Sequence, residues 1–197
     1  MSEIDFLNEA HYTPNELLDL MFQVKNKYVD FQISEYLEPS AGDGRIVERF
    51  DKKYRAYDIN PKSDKITKAD FLSTNIEYVK GRVTMMNPPF SLTNEFLEKA
   101  LSVSDYVIGV LPRYTLTEVI NYDTTQIDYV SLLRDYDFKT TEVTVFVVGC
   151  KRKEKVNSNQ LFDYKKEWEN WLKANSSKPV EIFQTPPFSP EIVDILK

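Results

Sequence analysis

The run Asn87-Pro88-Pro89-Phe90 carries the sharpest chemical signal in the chain. Two successive prolines cannot continue a central strand, because proline has no N–H for the ladder and restricts the residue before it. The backbone must leave the sheet there in a rigid, extended form. A stiff strand-to-helix loop is the plain structural reading. The chemical reading concerns an amine that is a poor nucleophile because its lone pair is delocalised into a ring. The side-chain oxygen of Asn87 and the carbonyl of Pro88 can each accept one N–H of such an amine. That draws the nitrogen toward tetrahedral geometry and stabilises the positive charge that develops as a methyl group arrives. Proline rigidity fixes both acceptors beforehand, and Phe90 can stack on a base swung out of its helix.

A second constellation is Leu37-Glu38-Pro39-Ser40-Ala41-Gly42-Asp43-Gly44-Arg45. A glycine-containing turn after a strand lets a ligand approach the backbone closely and offers helix N-terminal amides. With two glycines it is a weak dinucleotide fingerprint. Glu38 would oppose a phosphate and favour a cation such as an α-ammonium group. Asp58 ends the next apolar run, a spacing that suits a carboxylate accepting from ribose hydroxyls. Asp70-Phe71 closes a third run, where the acid can accept from an adenine amine. Singly, each acid is an ordinary turn residue; as an ordered set they describe a pocket for a nucleoside with a charged amino-acid tail.

The order Tyr12-Thr13-Pro14, Glu38-Pro39-Ser40-Ala41-Gly42-Asp43-Gly44, Asp58, Asp70-Phe71 and Asn87-Pro88-Pro89-Phe90 resembles the amino-directed class I methyltransferases, particularly adenine-N6 DNA methyltransferases. The resemblance spans about residues 11–150. It implies S-adenosylmethionine as cofactor, with Glu38 on the methionine amine, Thr13 on its carboxylate, Asp58 on the ribose, and Asp70 with Phe71 on the adenine. The implied cofactor-binding set is Tyr12, Thr13, Glu38, Pro39, Ser40, Gly42, Gly44, Asp58, Ile59, Asp70, Phe71 and Asn87. The implied catalytic loop is Asn87, Pro88, Pro89 and Phe90. DNA is the favoured substrate. RNA adenine or guanine amino-methylation and protein glutamine N5-methylation share the loop and stand as alternatives, beside a non-enzymatic interaction module. Relatives in restriction systems carry a sizeable recognition domain, whereas only residues 156–197 follow the last expected strand. A protein partner supplying specificity is therefore expected.

Other chemistries fit less well. Cytosine-C5 methylation needs a Pro-Cys nucleophile, and the one cysteine, Cys150, follows Gly149. With one histidine and one cysteine, no metal site is expected. The lone cysteine and the lack of a long apolar run point to a reducing compartment, the cytoplasm, without membrane attachment. Net charge is −6, which argues against holding nucleic acid by electrostatics alone. Residues 1–150 carry 16 Lys+Arg against 24 Asp+Glu, and residues 151–197 carry 9 against 7. Lys151, Arg152, Lys153 and Lys155, with Arg113 after the fifth strand, are the candidate phosphate contacts.

The elements that must position these residues read as an α/β chain. Thr13-Pro14-Asn15-Glu16 matches a capping box opening a helix. Strands are expected over 31–37, 54–59, 66–71, 82–86 and 106–111, with helices near 45–50, 93–102 and 127–135. A hairpin over 138–143 and 144–150 ends the domain. Alternating strands and helices ending in a hairpin predict a mostly parallel sheet with helices on both faces; with the resemblance, this is a Rossmann-like class I methyltransferase fold of seven strands. Residues 1–155 form the catalytic domain. Residues 156–197 form a short helical extension, with Leu161, Tyr164, Trp168, Trp171 and Leu172 on one stripe, and a Pro-Pro-Phe tail packed on the same domain.

Overall fold

The apolar runs that precede Glu38 and Asn87 become neighbouring parallel strands. The computed structural model describes residues 13–112, 115, 125–137, 142–152, 181–184 and 191–193. Within them run α1 (Asn15–Tyr28), β1 (Glu35–Glu38), β2 (Tyr54–Asp58), β3 (Thr67–Lys68), β4 (Arg82–Met86), α2 (Thr93–Val103), β5 (Tyr106–Pro112), β6 (Thr125–Asp137), β7 (Glu142–Arg152), β8 (Glu181–Gln184) and β9 (Glu191–Val193). The sheet order is β3-β2-β1-β4-β5-β7-β6-β8-β9. Strands β1 to β5 pair in parallel, and β7 enters antiparallel between β5 and β6. The chain builds outward from β1 in one direction and from β4 in the other. The β1/β4 junction is therefore the switch point at which such sheets bind ligands.

Strand alternation sorts the core into two layers. Tyr36, Val83, Met85, Tyr106, Ile108 and Val110 face α1, which buries Leu17, Leu18, Met21 and Val24 against them. Leu37, Met86, Val107 and Leu111 face the other way, onto Phe96, Leu97, Ala100 and Leu101 of α2. At about 1.5–3 kcal/mol per fully buried apolar side chain, the four α1 anchors contribute roughly 6–12 kcal/mol before conformational entropy is subtracted. That docking fixes the start of α1, and with it Thr13, over the switch point. At the opposite end of the strands, fully buried Arg82 pairs with Glu35 (Nε–Oε1 2.8 Å). It also donates to the carbonyls of Glu77 and Val103. This polar cluster staples β1, β4 and the end of α2, and leaves the carboxyl ends of the strands for ligand chemistry.

Several local expectations differ from the structure. Residues 127–135 form part of strand β6, not a helix, because β6 zips against β7 from Thr125↔Arg152 to Asp137↔Glu142. The hairpin expected over 138–143 and 144–150 is placed differently: residues 142–152 form one strand, β7, and its antiparallel partner is β6 at 125–137. Residues 45–50 form only a 3-10 turn, Val47–Arg49. The capping box is not made: Pro14 is the N-cap of α1, without a side-chain cap bond. Residues 181–184 and 191–193 extend the sheet beyond seven strands through β6–β8 and β8–β9 pairing. The stripe bearing Trp168 and Trp171, and Pro186 to Phe188, lie outside the described residues.

Candidate active site

β1 ends on Glu38, whose side chain is fully buried. Its Oε1 accepts from the backbone N–H and the hydroxyl of Ser40, both at 3.4 Å. Among the described residues, its Oε2 has no hydrogen-bond partner. Burial pushes this carboxyl well above the usual carboxylate range; the two Ser40 bonds oppose the shift and the Asp58 charge adds to it. A dry acid with an open oxygen at the end of a strand is unfavourable on its own. A cation bearing N–H groups against that oxygen would offset the cost.

The chain then turns through Gly42 (φ 52°) and Gly44 (φ 91°), conformations that side-chain-bearing residues rarely adopt. Asp58, at the end of β2, anchors this turn: Oδ2 accepts from the Gly42 N–H and Oδ1 from that of Asn60, each at 2.7 Å. Each oxygen keeps a second lone pair. Ile59 beside it is 52% exposed, an apolar side chain displayed at the rim. The Ala69 N–H donates to the Asp58 carbonyl, which seats the next turn against β2. There Asp70 engages its own turn, with Oδ1 accepting from the Leu72 N–H at 2.9 Å and Oδ2 from the Ser73 hydroxyl. The Phe71 ring packs on Phe96 in the core and is not displayed.

One residue of this region carries no signal in the sequence. Lys99, on α2, donates to the carbonyls of Phe71, Leu72 and Thr74 at 2.5, 2.8 and 2.6 Å. Its Nζ lies 5.0 Å from the centre of the Phe71 ring. Desolvation lowers its pKa, opposed by the Asp70 charge. A lysine among Phe96, Leu97 and Ala100 looks like any solvated helix position, and only the fold brings the turn to it.

β4 delivers Asn87, buried at the switch point. Its Nδ2 donates to the Thr13 hydroxyl at 3.1 Å, and its backbone carbonyl accepts from the Ser40 hydroxyl at 3.1 Å, the shorter of the two contacts between which that hydroxyl shares its one proton. Pro88 is buried and Pro89 extended (φ −53°, ψ 128°). Phe90 is half-buried against the α1 layer, and its carbonyl accepts from the Thr93 hydroxyl at the start of α2. Thr13, Glu38, Ser40 and Asn87 therefore form one bonded group. Gly42 and Asp58 form a second, one strand away, and the Asp70 turn adjoins it. Pro39 is buried within the first group's loop. Tyr12, Arg113, Lys153 and Lys155 lie outside the described residues.

No family model and no curated protein matches the sequence. Solved structures with similar folds do exist. The 23S rRNA methyltransferase ErmE superposes with a TM-score of 0.59 at 12% identity, over 84% of this chain and 80% of that one. A putative RNA methyltransferase from Pyrococcus horikoshii gives 0.57 at 15% identity, over 72% and 86%. An S-adenosylmethionine-dependent O-methyltransferase from Thermotoga maritima gives 0.50 at 12%, over 74% and 68%. The chain has the class I methyltransferase fold.

Within that fold the charge distribution differs from the sequence expectation. Lys151, the first of the basic run, pairs with Asp30 at 3.2 Å. Residues 52–68, by contrast, hold six Lys+Arg against two Asp+Glu. Of these, Lys62, Lys65 and Lys68 are exposed and make no ion pair among the described residues. They sit on the rim beside the glycine turn, where the Lys62 N–H donates to the Gly42 carbonyl. Among the described residues no cluster of His, Cys, Asp or Glu is arranged to hold a metal, and no helix is long and apolar enough to cross a membrane.

Proposed function

We propose that this chain is an S-adenosylmethionine-dependent N-methyltransferase that modifies an exocyclic amine of a nucleic-acid base, with adenine N6 in structured RNA as the favoured target. One observation carries the reading: Ser40 joins the buried, cation-seeking carboxylate of Glu38 to the carbonyl of Asn87 in Asn-Pro-Pro-Phe. In this reading, cofactor site and amine-acceptor loop are a single hydrogen-bonded unit.

The residues fit the cofactor. The open Oε2 of Glu38 suits an α-ammonium group, and the Thr13 hydroxyl suits the carboxylate beside it. The second lone pairs of Asp58 suit ribose hydroxyls, and the exposed Ile59 suits an adenine face. Asp70 would reach the adenine amine while still holding its turn, and Phe71 would contribute backbone rather than ring. When bound, S-adenosylmethionine supplies a methyl group made electrophilic by its sulfonium sulfur. Asn87 Oδ1 and the Pro88 carbonyl accept the two N–H groups of the substrate amine and stabilise its developing charge. Phe90 supports the extruded base by stacking.

RNA is preferred over DNA because two of the structures sharing this fold are named as RNA methyltransferases. DNA is the second reading, favoured by the motif order from Thr13 to Phe90. The test offers the purified chain methyl-tritiated S-adenosylmethionine with RNA, DNA or protein in separate reactions. Label is expected in nucleic acid and recovered as N6-methyladenosine. Label confined to protein glutamine would overturn the base assignment, and calorimetry showing no cofactor binding would overturn the cofactor.

A further inference from the structure

We propose that Thr13 is a positioning residue that relays the carboxylate end of the cofactor to the orientation of the Asn87 amide; this rests on the function proposed above. An asparagine amide has nearly the same shape after a half-turn, but its ends are chemically opposite: Oδ1 accepts and Nδ2 donates. For Asn87 the difference decides catalysis. With Oδ1 toward the substrate, the amide accepts an amine N–H. After a half-turn it would set donor against donor.

The backbone of Asn87 cannot supply this choice, since its carbonyl is held by the Ser40 hydroxyl and the next two residues are prolines. The side chain has a partner that can. Nδ2 donates to Thr13 Oγ1 at 3.1 Å, a contact between two buried residues 74 positions apart. A threonine hydroxyl has one proton and two lone pairs, so by itself it could serve either end of the amide. Once its proton is donated to a carboxylate, only lone pairs face Asn87. Nδ2 must then turn toward Thr13 and Oδ1 toward the substrate. Thr13 stands two residues before α1, which is anchored by Leu17, Leu18 and Met21. The relay therefore works from a fixed point. It also gives the unmade capping box a reason, because the hydroxyl that would have capped α1 is engaged by Asn87 instead.

The experiment has a binding arm and a kinetic arm. Side-chain amide resonances of Asn87 are followed by NMR in the full-length protein, assigned through Asn87→Ala. S-adenosylhomocysteine, which has the carboxylate, should shift and sharpen them. Methylthioadenosine, which lacks the whole amino-acid tail, should bind without doing so. Thr13→Val should abolish the response to S-adenosylhomocysteine, and Thr13→Ser should restore it. In steady state, Thr13→Val should lower kcat at least tenfold at saturating cofactor, with no further loss when added to Asn87→Ala. The relay is overturned if both ligands move the amide alike, or if Thr13→Val raises only the cofactor KM. Full turnover by Asn87→Ala would instead remove the amine-acceptor reading itself. Should Thr13→Val not fold, the comparison of the two ligands on the unmodified chain still decides.

Discussion

Replacing Glu38 with glutamine should strengthen the unliganded protein at alkaline pH while weakening its cofactor site. In the folded chain this carboxyl is fully buried, has one oxygen without a partner, and is held only by two long bonds from Ser40. Burial raises its pKa above the unfolded value. The folded state therefore binds the proton more tightly, and the stability this contributes is present at low pH and lost as pH rises through the folded value. Glutamine has no proton to lose. The Tm difference between Glu38→Gln and the parent should be smallest near pH 5 and grow in favour of the variant with rising pH. Each tenfold difference in proton affinity between the two states is worth about 1.4 kcal/mol, a Tm change of a few degrees for a domain of this size. Binding runs the other way. Losing a hydrogen bond to a charged group forfeits about 1.5–3 kcal/mol, so S-adenosylhomocysteine should bind the variant roughly 10- to 150-fold more weakly. For the parent, affinity should rise with pH as the carboxyl gives up its proton, until the ligand's own α-ammonium begins to lose its proton at more alkaline pH. Calorimetry and thermal unfolding across pH 5–9 test both halves. Unchanged affinity in the variant, or a variant less stable than the parent at high pH, would refute the reasoning.

Four further outcomes follow from the same geometry. Asn87→Ala should lower kcat roughly a hundredfold or more with cofactor affinity little changed, read by single-turnover methylation and calorimetry. Phe90→Ala should weaken nucleic-acid binding by about 1–3 kcal/mol if a base stacks there, seen in the substrate KM. Changing Lys62, Lys65 and Lys68 together to alanine should reduce the slope of log affinity against log salt by about 2 to 3, measured by fluorescence anisotropy with labelled RNA; an unchanged slope would rule out that rim. Lys99→Met should weaken cofactor binding severalfold and speed amide exchange at Leu72 and Thr74, because three carbonyls of that turn lose their donor.

Where residues act through their immediate neighbours, the sequence was readable. β4 and β5 stand out as short apolar runs, and Glu38 and Asn87 stand out as polar residues ending two such runs. The misreadings share one cause, which is that distant parts of the chain decide them. Residues 127–135 tolerate a helix locally, but register with β7 makes them a strand. Thr13 carries a capping signature, yet its hydroxyl is engaged by Asn87. Lys151 reads as a solvated strand end or a phosphate contact, and its partner Asp30 lies 121 residues earlier. Lys99 has no local signature, because its partners lie 25 to 28 residues earlier.

The central claim, transfer of a methyl group to an exocyclic base amine through the Asn87 loop, is tested most directly by nucleoside mass spectrometry. RNA and DNA are incubated with S-adenosylmethionine and either the parent chain or Asn87→Ala, then digested to nucleosides. N6-methyladenosine is expected from the parent, mainly in RNA, with its near disappearance for Asn87→Ala at equal protein and cofactor occupancy. Equal N6-methyladenosine from both proteins, or methylation found only on ring carbons or sugar oxygens, would contradict it.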